Sequence, residues 1–156
     1  MRVGIGADHG GFRMKEQLAK LLTSHGHKVI DFGNTVFDPD DDYPDFAIPL
    51  AQAVANGGIE RGILVCCSGV GPAVAANKVN GVRAALCHDD YSARQGVEDV
   101  DINILCLGGQ TTGIAVAWDC TKNFLSATFS EEPRHRRRLE MVKQLEQASI
   151  VKLMPV

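Results

Sequence analysis

A cysteine that leads directly into a glycine loop is the part of this sequence whose residue types could do chemistry. Residues 62–78 read G-I-L-V-C-C-S-G-V-G-P-A-V-A-A-N-K, and the apolar run 63–65 brings Cys66 to the end of a predicted buried strand. Gly69 and Gly71 allow the tight turn that brings backbone N–H groups close to a ligand. These donors would hold a phosphate or an enediolate oxygen and would favour the thiolate form of the cysteine.

The spacing of this segment excludes several known phosphate-binding loops. It lacks the third glycine of a dinucleotide fingerprint and the Gly-Lys-Ser/Thr ending of a P-loop. A cysteine phosphatase needs an arginine where this chain has Pro72 and Ala73 at the start of a predicted helix. One structural alternative stays open: Cys66 and Cys67 could be small core residues beside a tight turn, since buried free cysteine is common.

Two further groups of polar residues are candidates for a site. Asp8 and His9 follow an apolar run in the sequence A-D-H-G-G, and a carboxylate beside an imidazole can handle a sugar hydroxyl proton and a ring oxygen. Arg134 and Arg138 share a helix face, on which two guanidinium groups could bind a phosphate dianion. The alternatives are a helix cap and a surface histidine for the first pair, and a solvated helix face for the second.

Neither the acidic loop nor the cysteines predict a metal site. The loop 38–42 lacks the ligand spacing of an EF-hand, so we expect a solvated turn, after which Tyr43 and Pro44 could line a cleft. The five cysteines are odd in number and form no C-x-x-C pair. We therefore interpret them as reduced thiols, with neither a disulfide framework nor a zinc site.

Length, composition and charge restrict the class of protein. A chain of 156 residues with 45% hydrophobic content is enough for one full core, so we expect a single domain over 1–156. The net charge of -3 argues against a nucleic-acid partner. No apolar run has the length of a membrane span, and Met1 leads straight into a predicted strand without room for a signal peptide. These features indicate no membrane association and a cytoplasmic location.

Apolar strand-like runs alternate with helical spacing, which predicts an α/β fold with a five-stranded parallel sheet and helices on both faces. In such a sheet, ligands bind at the carboxyl ends of the strands, near a switch in strand order. The Cys66 loop and the pair formed by Asp8 and His9 should therefore share one crevice. The predicted strands are 3–7, 28–32, 63–66, 82–87 and 103–107, and the predicted helices are 14–22, 48–55 after a cap at Asp45, 73–78, 114–125 and 136–148.

Four motifs together resemble the ribose-5-phosphate isomerase B family, which includes the galactose-6-phosphate isomerase subunits. They are A-D-H-G-G, Asp-Tyr-Pro at 42–44, C-C-S-G-V-G-P-A-V-A-A-N-K, and R-H-R-R-R-L-E from Arg134, so the match covers almost the whole chain. The resemblance implies a Rossmann-like three-layer sandwich without a metal or organic cofactor. It implies an aldose–ketose isomerase of a phosphorylated sugar, with ribose 5-phosphate to ribulose 5-phosphate as the first expectation. It also implies a homodimer or homotetramer with shared active sites, in which the helix over 134–148 reaches the partner.

The resemblance implies a role for each matching residue. Cys66 would be the base that moves the C2 proton, with Ser68 at the position where the family usually has threonine. Asp8 and His9 would contact the sugar ring, and backbone N–H groups after Cys66 would hold the enediolate oxygens. The implied substrate-binding residues are Tyr43, Cys67, Gly69, Val70, Gly71 and Asn77, together with Arg134 and Arg138, which would bind the phosphate from the partner subunit.

The chain departs from the family pattern where the furanose ring is expected to be opened. Asp99 and Val100 stand where the family usually has histidine and asparagine, and Cys67 replaces the usual glycine. Ring opening would then fall to His9 with Asp8, or to Asp99 as a catalytic carboxylate. The B-type subunit of galactose-6-phosphate isomerase is similar in this loss and depends on a companion chain.

Three alternatives to ribose 5-phosphate isomerisation therefore stay open. The first is an isomerase of galactose 6-phosphate, allose 6-phosphate or a tetrose phosphate. The second is a non-catalytic subunit that binds sugar phosphate and needs a paralogous chain. The third is a flavodoxin-like or receiver-type signalling domain, which only Asp89 and Asp90 at a strand end support. A receiver places its phosphorylated aspartate after the third strand, where this chain has Cys66.

Overall fold

The computed structural model describes residues 1–151, and side chains as far as residue 146. Within these residues, five strands form one all-parallel sheet and six helices surround it, as the alternation of elements predicts. The strands are β1 (Arg2–Ala7), β2 (Lys28–Asp31), β3 (Arg61–Cys66), β4 (Ala84–Leu86) and β5 (Ile104–Gly108). The helices are α1 (Phe12–Ser24), α2 (Pro44–Ala55), α3 (Val70–Ala76), α4 (Asp90–Val100), α5 (Ile114–Ser126) and α6 (Pro133–Val151).

The strand order β2-β1-β3-β5-β4 places a switch between β1 and β3. From β1 the chain moves outward to β2, and it then returns to the other side of β1 to form β3. Parallel pairing joins Val3 to Arg61 and Ala7 to Val65, so both strands end at the same level. The loops after β1 and β3 enter helices on opposite faces of the sheet, which opens a crevice between them.

Helices cover both faces of the central strands, because these strands are nearly continuous apolar runs. One face packs α1, α4 and α5 around Leu18, Val97 and Phe124. The opposite face packs α2 and α3 around Leu50 and Ala76. All five residues have no exposed surface. The Rossmann-like three-layer sandwich is therefore confirmed.

Several predicted boundaries differ from the structure, and two of these differences have a clear physical reason. Strand β4 spans Ala84–Leu86 instead of 82–87, because it lies at the sheet edge and pairs only with β5. Helix α2 begins at Pro44, so Asp45 lies in its first turn and is not the cap that the sequence predicted. An acidic residue in that turn still stabilises the helix through the dipole.

Helix α4 is the element that hydrophobic spacing did not predict. Its buried residues are only Ala93 and Val97, too few to form a clear periodic pattern. The sequence did contain a local signal, because the Asp89 carboxylate accepts the Ser92 N–H at 2.7 Å and caps the helix. One of the two aspartates that supported a receiver domain is therefore a helix cap.

Helix α6 packs on the end of α4 and presents an exposed side to the surface. Met141 and Val142 are exposed apolar residues on this side. The helix extends beyond the predicted 136–148 at both ends. Among residues 1–151, no helix combines the length and the apolar character that a membrane crossing requires.

Candidate active site

Three glycine loops at the carboxyl edge of the sheet pack backbone against backbone around Cys66. They follow β1, β3 and β5. A Cβ atom on Gly10 would overlap the sulfur of Cys67, and one on Gly109 would lie 2.7 Å from the carbonyl oxygen of Gly10. The Gly109 N–H donates to the Cys66 carbonyl at 2.7 Å. Only residues without side chains let these loops meet, and the site is therefore lined by backbone groups.

Cys66 is the last residue of β3, and the loop that follows holds its side chain. The residue is 6% exposed, and the Gly69 N–H donates to its Sγ at 3.0 Å. Gly69 has a φ of 84°, in the left-handed region that favours glycine. An N–H donor aimed at sulfur stabilises negative charge there, which is the property that a thiolate base needs.

The cysteines of the core have a different environment. Burial raises the pKa of Cys87 and that of Cys120 to about 11, and it also raises the pKa of Cys106. These side chains therefore stay neutral thiols at physiological pH. All five cysteines are free.

Asp8 follows β1 directly and braces the turn into α1. Its Oδ1 accepts the N–H groups of Gly10 and Gly11 at 3.0 and 3.2 Å, and the residue is 6% exposed. Burial raises the pKa of Asp8 above its ordinary value, although the two N–H donors and nearby His9 act in the opposite direction. Asp8 therefore has a structural task in the turn, and its contact with a sugar ring stays a prediction.

His9 is paired with Asp41, a residue that the sequence analysis did not single out. Nδ1 of His9 lies 2.9 Å from Asp41 Oδ1, and the His9 backbone N–H donates to the same oxygen at 2.7 Å. The hydrogen bond to Asp41 raises the pKa of His9 above its ordinary value. The Asp41 side chain is only 7% exposed. The expectation of a solvated turn over 38–42 is therefore wrong at Asp41, although its acidic neighbours are exposed.

Tyr43 and Ser68 complete what we call the carboxyl-edge group. A Cβ atom on Gly71 would lie 3.0 Å from the Tyr43 ring, so this ring flanks the glycine loop. Ser68 is half-buried, and its Oγ accepts the Val70 N–H at 3.4 Å. The predicted site residues that one chain brings to this edge are Asp8, His9, Tyr43, Cys66, Cys67, Ser68, Gly69, Val70 and Gly71.

The loop after β5 also contributes to this edge, and the sequence analysis missed it. The Gln110 N–H donates to the Cys67 carbonyl at 3.0 Å, and Gln110 Nε2 lies 3.5 Å from Cys67 Sγ. The available signal was the Gly108 and Gly109 pair at the end of an apolar run. The other two loops around Cys66 likewise contain two glycines each, Gly10 and Gly11 after β1 and Gly69 and Gly71 after β3.

Asp99, Arg134 and Arg138 lie at the opposite edge of the sheet, and we call them the amino-edge group. Helix α4 starts after the carboxyl end of β4 and runs back along the sheet, which brings Asp99 near the amino ends of the strands. Arg138 lines a cavity of about 470 Å³ beside Arg83, the residue before β4. Strands of this length separate the two edges by roughly 17–20 Å. Asp99 therefore does not act at the Cys66 of its own chain.

The amino edge also holds a histidine to which the sequence analysis gave no role. His135 Nε2 lies 3.6 Å from Asp99 Oδ1, and His135 Nδ1 shares a hydrogen bond of 2.7 Å with Ser130 Oγ. The carboxylate that occupies the family's usual histidine position thus faces an imidazole from α6. This contact joins the end of α4 to the start of α6.

Asn77 lies at the end of α3, away from the glycine loop. Its Nδ2 donates to the carbonyls of Ala73 and Ala84 at 2.9 and 2.8 Å, and its Oδ1 accepts the Ala84 N–H at 2.9 Å. These bonds fasten α3 to the edge strand β4. The structure therefore gives Asn77 a structural task, and its contact with substrate stays a prediction.

Comparison with known proteins identifies the class to which this fold and site belong. The Ribose/Galactose Isomerase family matches residues 3–142. The chain is 38% identical to ribose-5-phosphate isomerase B of Escherichia coli, over 94% of this chain and 97% of that protein. It is 36% identical to D-erythrulose-4-phosphate isomerase 2 of Mycolicibacterium smegmatis, over 85% of this chain and 88% of that protein.

Solved structures share the fold over nearly the whole chain. Ribose-5-phosphate isomerase B of Clostridium thermocellum is 42% identical and superposes with a TM-score of 0.92, covering 96% of this chain and 99% of that chain. The enzyme from Mycoplasma genitalium with bound ribulose-5-phosphate is 35% identical with a TM-score of 0.89, covering 94% and 96%. The fold, site and relatives define a sugar-phosphate isomerase of the aldose–ketose class. The chain belongs to the Ribose/Galactose Isomerase family.

Proposed function

We propose that this protein interconverts ribose 5-phosphate and ribulose 5-phosphate, with Cys66 as the base. The observation that carries the proposal is the Cys66 thiol, which accepts the Gly69 N–H at 3.0 Å beside the switch in strand order. Two relatives support this substrate, one through its name as ribose-5-phosphate isomerase B and one through its bound ribulose-5-phosphate.

The reaction needs a base for a carbon-bound proton and a site for the charge that results. After the ring opens, the Cys66 thiolate takes the C2 proton, and the C–H electron pair forms the C1=C2 bond of an enediolate with its charge on O1. The N–H groups of residues 67–71 would hold that oxygen. The proton then moves from sulfur to C1 while a proton shifts from O2 to O1, with Ser68 beside this path, and the ketose results.

In this proposal, a second copy of the chain binds the phosphate. Arg134 and Arg138 lie at the amino edge of their own chain, far from Cys66, and both are exposed. The exposed apolar side of α6 at Met141 and Val142 provides a surface for the pairing. A two-fold dimer would place each amino-edge group against the carboxyl-edge group of the other copy, and it would create two equivalent sites.

A tetrose phosphate is the second candidate substrate. Asp99 occupies the position at which the resemblance implies a ring-opening histidine. A four-carbon aldose phosphorylated on its terminal oxygen cannot close a furanose ring, so its isomerisation needs no such residue. The relative that is named D-erythrulose-4-phosphate isomerase 2 favours this candidate independently.

A panel of substrates tests the proposal. The purified protein is incubated in D2O with ribose 5-phosphate, erythrose 4-phosphate, galactose 6-phosphate and allose 6-phosphate, and NMR follows ketose formation and deuterium at C1. We expect the highest kcat/KM on ribose 5-phosphate. A preference of about tenfold or more for the tetrose would select the second candidate. Binding without turnover of any of them would indicate a subunit that needs a paralogous chain.

A further inference from the structure

We propose that Asp41 is a positioning residue that holds His9 as the acid–base group for opening the sugar ring. The inference rests on the proposed function, because only a cyclic sugar phosphate requires this step. Its basis is the double contact of Asp41 Oδ1 with the backbone N–H and Nδ1 of His9, at 2.7 and 2.9 Å. Two bonds to one oxygen fix both the position of His9 and the rotation of its ring.

The Asp41 carboxylate is itself held in place. Its Oδ2 accepts the Asn34 side-chain N–H at 3.0 Å, and the Asn34 carbonyl accepts a bond from Lys15 Nζ at 2.9 Å. Lys15 has no exposed surface and also binds Asp31 Oδ2 at 2.5 Å. A chain of polar contacts thus runs from a buried cation on α1 to His9. Such outer partners are what preserve the geometry of a catalytic group.

The contact to Asp41 also decides which nitrogen of His9 is free. A carboxylate at Nδ1 fixes the neutral ring in the tautomer whose hydrogen is on Nδ1, so Nε2 carries the lone pair. The His9 side chain is 39% exposed, so a ligand at the carboxyl edge can reach the ring. The titratable groups that face His9 are Asp8 and Asp41, and both carboxylates favour its protonated form.

This geometry suits the proton balance of ring opening. The step breaks the bond between C1 and the ring oxygen and turns the anomeric hydroxyl into the aldehyde carbonyl. One proton must leave O1, and one must reach the former ring oxygen. An imidazole that takes the first proton on Nε2 and returns it to the ring oxygen supplies both transfers and ends in its starting state.

Within one chain, the other two candidates for ring opening are engaged in other contacts. Asp8, the partner that the sequence suggested for His9, accepts the Gly10 and Gly11 N–H groups with its Oδ1. Asp99 lies at the opposite edge of its own chain and faces His135 at 3.6 Å, so it could act only at the Cys66 of a second copy. The pair formed by His9 and Asp41 is thus assembled within one chain at the edge that contains Cys66.

The first arm of the test measures the imidazole directly. Nitrogen-15 NMR of the wild-type protein, with the His9 signals assigned from His9→Gln, should show the Nδ1–H tautomer and a pKa above that of a free histidine. In Asp41→Asn, this pKa should fall. Asp40→Asn removes one charge from the exposed neighbour of Asp41 and should leave the tautomer unchanged. A wild-type His9 in the Nε2–H tautomer overturns the proposal without any variant.

The second arm measures the reaction. With ribose 5-phosphate, Asp41→Asn should lower kcat by about tenfold or more and move the acidic limb of the pH profile downward, while KM changes little. With erythrose 4-phosphate, which has no furanose ring to open, the loss should be within about twofold. Asp40→Asn should resemble wild type on both substrates.

The outcomes separate this inference from the proposed function. Equal losses of kcat on the cyclic and the open-chain substrate would show that Asp41 only supports the fold, and they would overturn the inference. If Asp41→Asn does not fold, the same measurements are made on Asp41→Ser, which keeps a short polar side chain in the loop. If wild type isomerises none of the substrates, the proposed function fails, while the NMR arm still decides whether Asp41 orients His9.

Discussion

The carboxyl and amino edges of the sheet both carry candidate site residues, but they are built in different ways. At the carboxyl edge, three loops interlock through backbone contacts such as that between the Gly109 N–H and the Cys66 carbonyl, so the position of each side chain is tightly determined. At the amino edge, Arg134 and Arg138 extend from one exposed face of α6. The first edge is assembled within one chain, whereas in our proposal the second acts only at the site of a second copy.

We propose that this difference gives the two edges different tasks. Proton transfer from carbon requires reacting groups held to a fraction of an ångström, which rigid interlocked loops provide. Phosphate binding by guanidinium groups tolerates longer, more flexible side chains and gains from charge. We therefore expect changes at the carboxyl edge to reduce kcat and changes at the amino edge to weaken binding.

The largest effect is expected at Cys66. Cys66→Ala should lower kcat by a factor of about 10²–10⁴ or more, because a general base contributes that much, while the fold and sugar-phosphate binding stay nearly intact. Cys67→Ala should lose much less. Turnover of the Cys66 variant within about tenfold of wild type would remove the base from the mechanism, and lost binding with retained rate would indicate a structural cysteine.

The next effect concerns the phosphate. Arg134→Ala and Arg138→Ala should each weaken binding of the phosphorylated sugar by about 1–3 kcal/mol, the range for a charge-assisted contact. Binding of the unphosphorylated sugar should hardly change. Arg137→Ala removes the same charge from the arginine run without removing a predicted phosphate contact, so it serves as the control. Wild-type affinity in both variants would mean that this arginine run is only a solvated helix face.

Mixing two defective chains makes the comparison of the edges sharper. Cys66→Ala chains and chains with both Arg134→Ala and Arg138→Ala each lack one edge. If the carboxyl edge of one copy and the amino edge of the other form one site, a dimer that contains one chain of each kind has one intact site. Random exchange should then restore about a quarter of wild-type activity, because half of the dimers are mixed. No recovery after proven exchange of subunits would contradict sharing.

A smaller gain is expected at Asp99. Asp99→His places an imidazole at the position where the family usually has one, so it should raise kcat/KM on ribose 5-phosphate by several-fold, within the range of acid–base assistance. It should raise the value for erythrose 4-phosphate less, since that sugar has no furanose ring to open. Equal gains on both sugars would point to altered contacts with His135 instead of ring opening.

The smallest effect concerns stability. The raised pKa of Asp8 means that the folded protein holds this proton more tightly than the unfolded chain, so ionisation of Asp8 at rising pH costs stability. The side-chain amide introduced by Asp8→Asn cannot ionise. The melting temperature of the variant minus that of wild type should therefore increase from about pH 3 to about pH 7, because only wild type loses this stability. A difference that stays constant over this interval would show that the burial of Asp8 has no such cost.

The sequence by itself determined the fold and the local turn that follows Cys66. Short apolar runs that alternate with helical spacing are typical of parallel strands covered by helices, and the Cys66 loop consists of contiguous residues whose glycines permit the tight turn locally. Such local rules do not predict elements whose hydrophobic pattern is weak. Helix α4 has too few buried residues to show a period, and the short edge strand β4 has only one partner to hold it.

Only the tertiary structure decided which distant residues meet. Nothing local distinguishes Asp41 from the acidic residues beside it, and its partnership with His9 depends on how the loop after β2 folds back over the end of β1. Likewise, Asp99 and Cys66 both belong to predicted site motifs, yet the direction of α4 places them at opposite edges of the sheet. The spacing of residues along the chain predicts local geometry, whereas contacts between loops depend on the order of the strands that the loops follow.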